Sequence, residues 1–202
     1  MSDATCHPFR SCGEDVVVYP MARILDADRI TVGDSVIIDD FVLMMGGRET
    51  RIGSFVHLAS FSSFLGGGEL FIEDFAGVSS GCRVYTGTDD FLGGGLTGPT
   101  IPIELRAVVR SFVRIGRHAV VGANSVVLPG VTIGEGCTVG ANSLVNRDLE
   151  PWTVYAGSPA RPLKARPKAR ILELEAELHR IAYTPDGRYV PRRARASATG
   201  GR

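Results

Sequence analysis

Fifteen apolar residues recur at a six-residue spacing, and this beat restricts the chain to very few architectures. Val32, Ile38 and Met44 set the register, and Ile52, Leu58 and Phe64 repeat it. Ile72, Val78 and Val84 follow, then Ile115, Val121, Val127, Ile133, Val139 and Val145. A period of six matches neither an amphipathic helix, at about 3.6, nor a single strand, at about 2. It is the period of a solenoid, in which each short strand turns a corner and the next begins.

The rest of each repeat fits that reading. Four residues after a lead position the side chain is small or aliphatic: Val36, Val42, Val56, Ser62, Ala76, Cys82, Ala119, Ser125, Val131, Cys137 and Ser143. Side chains alternate along a strand, so both positions face inward, and one large and one small residue per side fill a narrow interior. The residue after the lead is often glycine, as at Gly33, Gly53, Gly116, Gly122, Gly134 and Gly140. Three residues after the lead stand Gly81, Asn124, Gly130, Gly136 and Asn142, types that tolerate the positive φ of a tight corner. Phe41, Phe55, Phe61 and Phe75 occupy that same corner position, which suits them less well.

The interruptions are regular too. Ile24 to Val32, Met44 to Ile52 and Phe64 to Ile72 each span eight residues, an excess of two after every third hexad. Three hexads therefore make one coil of a three-sided prism, and the extra residues stack along one edge. The large interruption leaves from that edge and runs from residue 85 to 114, rich in Gly, Thr and Pro. An insertion there disturbs no core and is a natural functional loop. The organisation expected is an irregular lead-in over residues 1–14, a solenoid over 15–150 carrying the loop 85–114, and a Pro-punctuated crossing segment over 151–165. A helix is expected over 166–182 with Ile171, Leu174, Leu178 and Ile181 on one face. The basic, small-residue tail 183–202 reads as disordered.

Lys+Arg and Asp+Glu are equal at 22 each, so the formal net charge of +0 makes no case for nucleic acid or an anionic membrane. No apolar run approaches the ~18 residues of a membrane span. The start, MSDATCHPFR, lacks the apolar stretch of a signal peptide, so a cytoplasmic protein is expected. The 4 cysteines do not make a disulfide framework. Cys82 and Cys137 fall on the small inward position, and Cys6, His7 and Cys12 belong to the lead-in; no metal site is expected.

With 4 histidines, the search for a general base is short. His7 lies in the lead-in, and His179 falls on the surface of the helix. His118 sits at a corner and reads as an exposed turn residue. His57 lies between inward Val56 and inward Leu58, so it points out from a flat face. Its counterparts one coil before and after are Ile37 and Gly77, and Gly77 leaves space beside the imidazole. An outward histidine beside a gap, with a long loop nearby, is a plausible base. Asp89 and Asp90 in the loop are candidates to orient that imidazole or to bind an acceptor amine or hydroxyl. Outward Ile37, Leu43 and Ala59 make the faces too apolar for a monomer surface, which points to a homotrimer.

The stretches SSGCRVYTGTDDFLGGGLTGPTIP, IGRHAVVGANSVVLPGVTIGEGCTVGANSLVNRDLEPW and VYAGSPAR resemble the hexapeptide-repeat acetyltransferases, over residues 15 to about 165. They look closest to the sugar acetyltransferases of O-antigen and antibiotic sugar pathways that N-acetylate nucleotide-linked 4-amino-4,6-dideoxy sugars. The resemblance implies an all-β fold, a left-handed parallel β-helix with an inserted loop and a C-terminal α-helix; spacing alone does not give the hand, since most parallel crossovers are right-handed. It implies a trimer with acetyl-CoA in the groove between prisms and direct transfer to a sugar acceptor, without a covalent enzyme intermediate. Many relatives carry the catalytic histidine in the inserted loop; this loop has none, which leaves His57. By position, Gly122, Ala123, Gly140 and Ala141 would line the pantetheine, with Ser125 and Ser143 as weaker, inward-facing candidates. Gly157, Ser158, Pro159 and Ala160 would pass the adenine, and Arg161 and Lys164 would meet phosphate. O-acetylation on the same scaffold and a non-catalytic binding module are the alternatives; a zinc enzyme of the carbonic anhydrase kind needs more outward histidines than this prism offers.

Overall fold

The computed structural model describes residues 8–199. Cys6 and His7 lie outside the described residues. Three parallel sheets wrap one core as a left-handed β-helix, as the hexad spacing and the resemblance together predict. The first face stacks Ser11–Cys12, Ile30–Val32, Glu49–Ile52, Glu69–Ile72, Phe112–Ile115 and Val131–Ile133. The second stacks Val17–Val18, Ile37–Ile38, His57–Leu58, Gly77–Val78, Val120–Val121, Thr138–Val139 and Thr153–Ala156. The third stacks Arg23–Leu25, Leu43–Met45, Ser63–Leu65, Arg83–Tyr85, Val126–Val127 and Leu144–Val145. The parallel register is in phase: Ile38 pairs with Leu58, Leu58 with Val78, and Val78 with Val121. All fifteen lead residues are buried, and so are all eleven small partners four residues on. Ala59, expected to face outward, is also buried, because it follows Leu58 into the turn rather than continuing the flat strand.

The corner residues explain the phenylalanines. Phe41, Phe55, Phe61 and Phe75 all have φ between 58° and 64°, like Gly81, Asn124 and Asn142 on other coils. A non-glycine residue in that region is costly, and the rings offset part of the cost by stacking coil on coil. Phe55 lies 5.0 Å from Phe75, and Phe41 lies 4.9 Å from Phe61.

Both ends depart from expectation. The solenoid begins within the predicted lead-in, because Ser11–Cys12 pairs in parallel with Thr31–Val32. The crossing segment is sheet: Thr153–Ala156 extends the second face in parallel, and Arg161–Ala165 folds back antiparallel on it. Helix α1 runs Ala169–Ala182. Its protein-facing line is Ile171, Glu175, Leu178 and Ala182, while Leu174 and Ile181 stay exposed. Glu175 turns inward because it pairs with Arg117 and accepts from His118.

The tail, expected to be disordered, is folded as far as Thr199. Tyr183 bridges to Tyr189, and α2 spans Arg192–Thr199. The Tyr189 hydroxyl donates to Asp15 at 2.9 Å, the Arg192 backbone N–H donates to the same carboxylate at 2.6 Å, and the Arg192 guanidinium reaches Ser35 at 3.1 Å. The tail thus runs back from the last coils to the first ones. Among the described residues no helix is long and apolar enough to cross a membrane.

Candidate active site

His57 leaves the second face as expected, opposite Ile37 on one side and Gly77 on the other. Its side chain is 55 % exposed. A Cβ built on Gly77 would meet nothing within 4 Å, so the space beside the imidazole is open. The other side is not empty: Nε2 lies 3.0 Å from Oδ2 of Asp39. Asp39 was not anticipated. The one hint is its column: the residues directly after the second-face leads are Asp39, Ala59, Ser79, Gly122 and Gly140, and Asp39 alone carries charge.

Asp89 and Asp90 are not brought to His57 of the same chain. The insertion leaves the corner between the third and first faces, which is the corner the second face does not touch. It is an ordered arm. Gly87–Thr88 pairs antiparallel with Val109–Arg110, and a 3-10 turn covers Ile103–Leu105. Arg106 binds Asp89 at 2.8 Å, and the Gly98 N–H donates to the other carboxylate oxygen at 3.0 Å. The Arg106 bond and the Gly98 N–H hold the Asp89 carboxyl below the usual carboxylate range. Asp90 accepts from the N–H groups of Leu92 and Gly94. Phe91, Leu92 and Leu96 on this arm are exposed.

His118 has the positive φ of a corner, but it is 7 % exposed rather than on the surface. It stacks 4.9 Å from Phe75 beneath α1, and its Nε2 lies 2.8 Å from Glu175. Burial first, then the charges of Arg117 and Arg166, push its pKa down, against Asp74. The Glu175 contact does not demand an imidazolium, since a neutral ring can also donate from Nε2–H, and the Glu175 charge is already paired with Arg117. His118 is thus covered, while His57 is exposed.

The ten residues expected around the coenzyme divide. Gly157, Ser158 and Pro159 form an exposed turn, and Arg161 and Lys164 lie on an exposed edge strand, suited to a polyphosphate. At the corner between the second and third faces, Ala123 is half-buried and Ala141 is exposed. Ala160 is buried, with its N–H donating to Leu144, so it anchors the turn. Gly122 and Gly140 have a reason of their own: a Cβ on Gly122 would sit 2.7 Å from the Ala141 nitrogen, and one on Gly140 2.9 Å from the Ala156 Cβ. Coil stacking alone requires those two glycines. Ser125 and Ser143 are inside, both donating to the Gly140 carbonyl.

Cys82 and Cys137 are buried in the core, and burial pushes the Cys137 thiol up to about 12, which rules out a thiolate nucleophile there. Among the described residues no group of three or more His, Cys, Asp or Glu is placed to hold a metal ion. A cleft of about 430 Å³ lies on the first face, lined by Arg51, Phe71, Arg114 and Arg117. Its guanidinium groups pair with Glu49, Glu73 and Glu175, and it is on a different face from His57.

Residues 107–147 match the bacterial transferase hexapeptide family (six repeats). The chain is 37 % identical over 169 residues to dTDP-4-amino-4,6-dideoxy-D-glucose acyltransferase of Escherichia coli, covering 83 % of this chain and 88 % of that one. It superposes with a TM-score of 0.80 and 40 % identity on AntD, an N-acyltransferase from Bacillus cereus in complex with dTDP and 3-hydroxybutyryl-CoA, covering 84 % of this chain and 89 % of that one. A hexapeptide-repeat acetyltransferase of Vibrio cholerae in complex with acetyl coenzyme A shares the fold at 24 % identity and a TM-score of 0.54, with 79 % and 72 % covered.

Proposed function

The chain belongs to the hexapeptide-repeat acyltransferases, in the branch of the dTDP-amino-sugar acyltransferases, and from that membership we propose that it moves an acyl group from a coenzyme A thioester to the amino group of a dTDP-linked 4-amino-4,6-dideoxy sugar. The observation that carries this reading is the likeness, over most of both chains, to a dTDP-4-amino-4,6-dideoxy-D-glucose acyltransferase and to an N-acyltransferase that binds dTDP-4-amino-4,6-dideoxyglucose and coenzyme A. In the reaction the amine nitrogen attacks the thioester carbonyl. A C–N bond forms, the C–S bond breaks, and the coenzyme leaves as its thiol. His57 takes the proton that the attacking amine loses and passes it to the departing thiolate, which leaves as the thiol. Its support is geometric: it is exposed, and the space over Gly77 beside it is open. A backbone N–H stabilises the oxyanion. Arg161 and Lys164 meet the coenzyme phosphates, the turn at Gly157, Ser158 and Pro159 lies along the adenine end, and the outer backbone at Gly122, Ala123, Gly140 and Ala141 borders the pantetheine.

The active unit is a homotrimer, in which the ordered arm of one copy carries Asp89 and Asp90 to the acceptor at a neighbour's His57. Two features support it: the arm exposes Phe91 and Leu92 instead of packing them on its own prism, and Tyr19, Met21, Phe41 and Phe61 form an exposed apolar ridge on the corner beside His57. The compartment is the cytoplasm, in keeping with the buried thiols of Cys82 and Cys137 and with the nucleotide-sugar acceptor.

The test is an acyl-transfer assay with dTDP-4-amino-4,6-dideoxyglucose and either acetyl-CoA or 3-hydroxybutyryl-CoA, read by thiol release and the mass of the sugar product. An N-acylated product is expected. Transfer only to a 4-hydroxy analogue, or none with either thioester, would overturn the reading.

A further inference from the structure

We infer that Asp39 is the positioning residue of the proposed base: it fixes the His57 imidazole through Nε2 and so leaves Nδ1 as the nitrogen that accepts the acceptor's proton. This rests on the acyl-transfer reading above. A carboxylate only accepts hydrogen bonds, so the 3.0 Å contact between Asp39 Oδ2 and His57 Nε2 places the ring proton on Nε2. In a neutral imidazole the lone pair then resides on Nδ1, which has no protein partner among the described residues.

The use of Asp39 differs from that of the other corner aspartates. Asp40 accepts from the Met21 N–H at 2.8 Å, Asp34 from Glu14 at 2.8 Å, Asp74 from Ser54 at 2.7 Å and Asp148 from Thr132 at 2.7 Å. Each of these carboxylates ties down the backbone of the preceding coil. Asp39 instead reaches toward the following coil and takes an imidazole.

Its position is rigid before any substrate arrives. The Ile37 N–H donates to the Val56 carbonyl at 3.0 Å, and the Asp39 N–H donates to the Leu58 carbonyl at 3.0 Å. These two backbone bonds bracket His57, so the carboxylate and the ring are set on strands whose register is locked on both sides. A residue held in this way limits the rotamers that an exposed imidazole would otherwise sample, which is the gain expected of preorganisation. On the following coil the position paired with His57 is Gly77, where an added Cβ would meet nothing within 4 Å, so that side of the histidine is not walled off by a side chain. An exposed polar contact of this kind contributes little to folding, so its removal is expected to register in turnover and not in stability.

The experiment compares Asp39→Asn, Asp39→Glu, His57→Ala and the Asp39→Asn/His57→Ala pair in the acyl-transfer assay. Asp39→Asn should lower kcat roughly tenfold to a hundredfold, a part of the ~10²–10⁴-fold that a positioned base supplies. KM for both substrates should stay within about twofold, and Asp39→Glu should recover part of the loss. In the His57→Ala background Asp39→Asn should cost nothing more, because it acts only through the ring. Wild-type kcat in Asp39→Asn, or a full additional loss in the double variant, would overturn the proposal while leaving acyl transfer intact. Absence of turnover in the wild type would instead overturn the functional reading. In that event the ¹⁵N spectrum of the His57 ring decides about Asp39: a proton on Nε2 supports the assignment, and one on Nδ1 refutes it.

Discussion

Two corners of the prism carry the same local device and put it to different ends. On the corner between the first and second faces, Phe55 and Phe75 stack within 3° of parallel, and His118 continues the stack. Tyr183 and Tyr189 close edge-on over Phe55, and His179 of α1 lies 5.9 Å from Phe75. On the corner between the second and third faces, Phe41 and Phe61 stack within 6° of parallel but remain 46 % and 60 % exposed. A left-handed phenylalanine costs about 1–2 kcal/mol, and one stacked ring pair returns about 0.5–1.5 kcal/mol. Stacking alone therefore does not recover the cost of two such residues; burial must. The first ladder obtains burial from the chain's own C-terminal tail. The second ladder has no such cover among the described residues, and it stands beside His57; in the proposed trimer a neighbouring copy would supply it. On the proposed reading, the difference separates a corner that serves the fold from a corner that serves assembly and chemistry.

The sharpest break between the corners should come from their histidines. His57→Ala is expected to lower kcat by about 10²–10⁴-fold with no change in melting temperature. His118→Ala should keep kcat within about tenfold but lose roughly 2–3 kcal/mol of stability, because it removes a buried ring and leaves Glu175 one donor short. Steady-state kinetics beside thermal unfolding separate the two. A dead His118→Ala enzyme of normal stability would reverse the roles.

The phenylalanines give the next largest contrast. Glycine relieves the strain at either corner, so only the lost contacts differ. Phe75→Gly should destabilise the chain by about 1–3 kcal/mol, since the ring supports Phe55, His118 and the Arg117 guanidinium. Phe61→Gly should leave the fold intact and shift the light-scattering mass from trimer toward monomer at micromolar concentration. A Phe61→Gly protein that remains a full trimer would remove this corner from the interface.

The same contrast marks how far the sequence could be read. The solenoid was legible to the single residue because its rule is local: every lead and every small partner depends on a repeat of six. His57 and its gap over Gly77 came from the same arithmetic, carried across coils. Asp39 did not, because its bond to His57 depends on a side chain leaning from one coil to the next, which no periodicity records. The burial of His118 and the order of the tail were hidden for a related reason. Basic, small-residue composition argues for disorder, yet Tyr189 and Arg192 find Asp15 more than 170 positions away. The phenylalanines pointed at the answer: a bulky ring at a corner that prefers glycine implies a cover.

That cover should also carry a pH signature, the smallest of the expected effects. Burial, with Arg117 and Arg166 nearby, lowers the pKa of His118 below the ordinary 6.5. Across the interval between the folded value and 6.5 the unfolded chain binds the proton and the folded chain does not. Stability therefore rises with pH through that interval and falls on acidification below 6.5. The groups facing the ring are Glu175 and His179 from α1, Arg166 from the segment before it, and Asp74 and Arg117 from the coils. His118→Phe keeps an aromatic at a corner that accepts phenylalanine elsewhere and removes the titration. Melting temperatures of wild type and variant, measured from pH 7.5 to 5, should diverge below about 6.5, with the wild type falling faster. Groups that do not touch residue 118 contribute equally to both proteins and cancel in the difference. Parallel curves would mean that burial does not shift the His118 titration, and a wild type that gains on the variant as the pH falls would mean that Glu175 holds an imidazolium after all, so that the covered corner is an ion pair instead of a neutral stack.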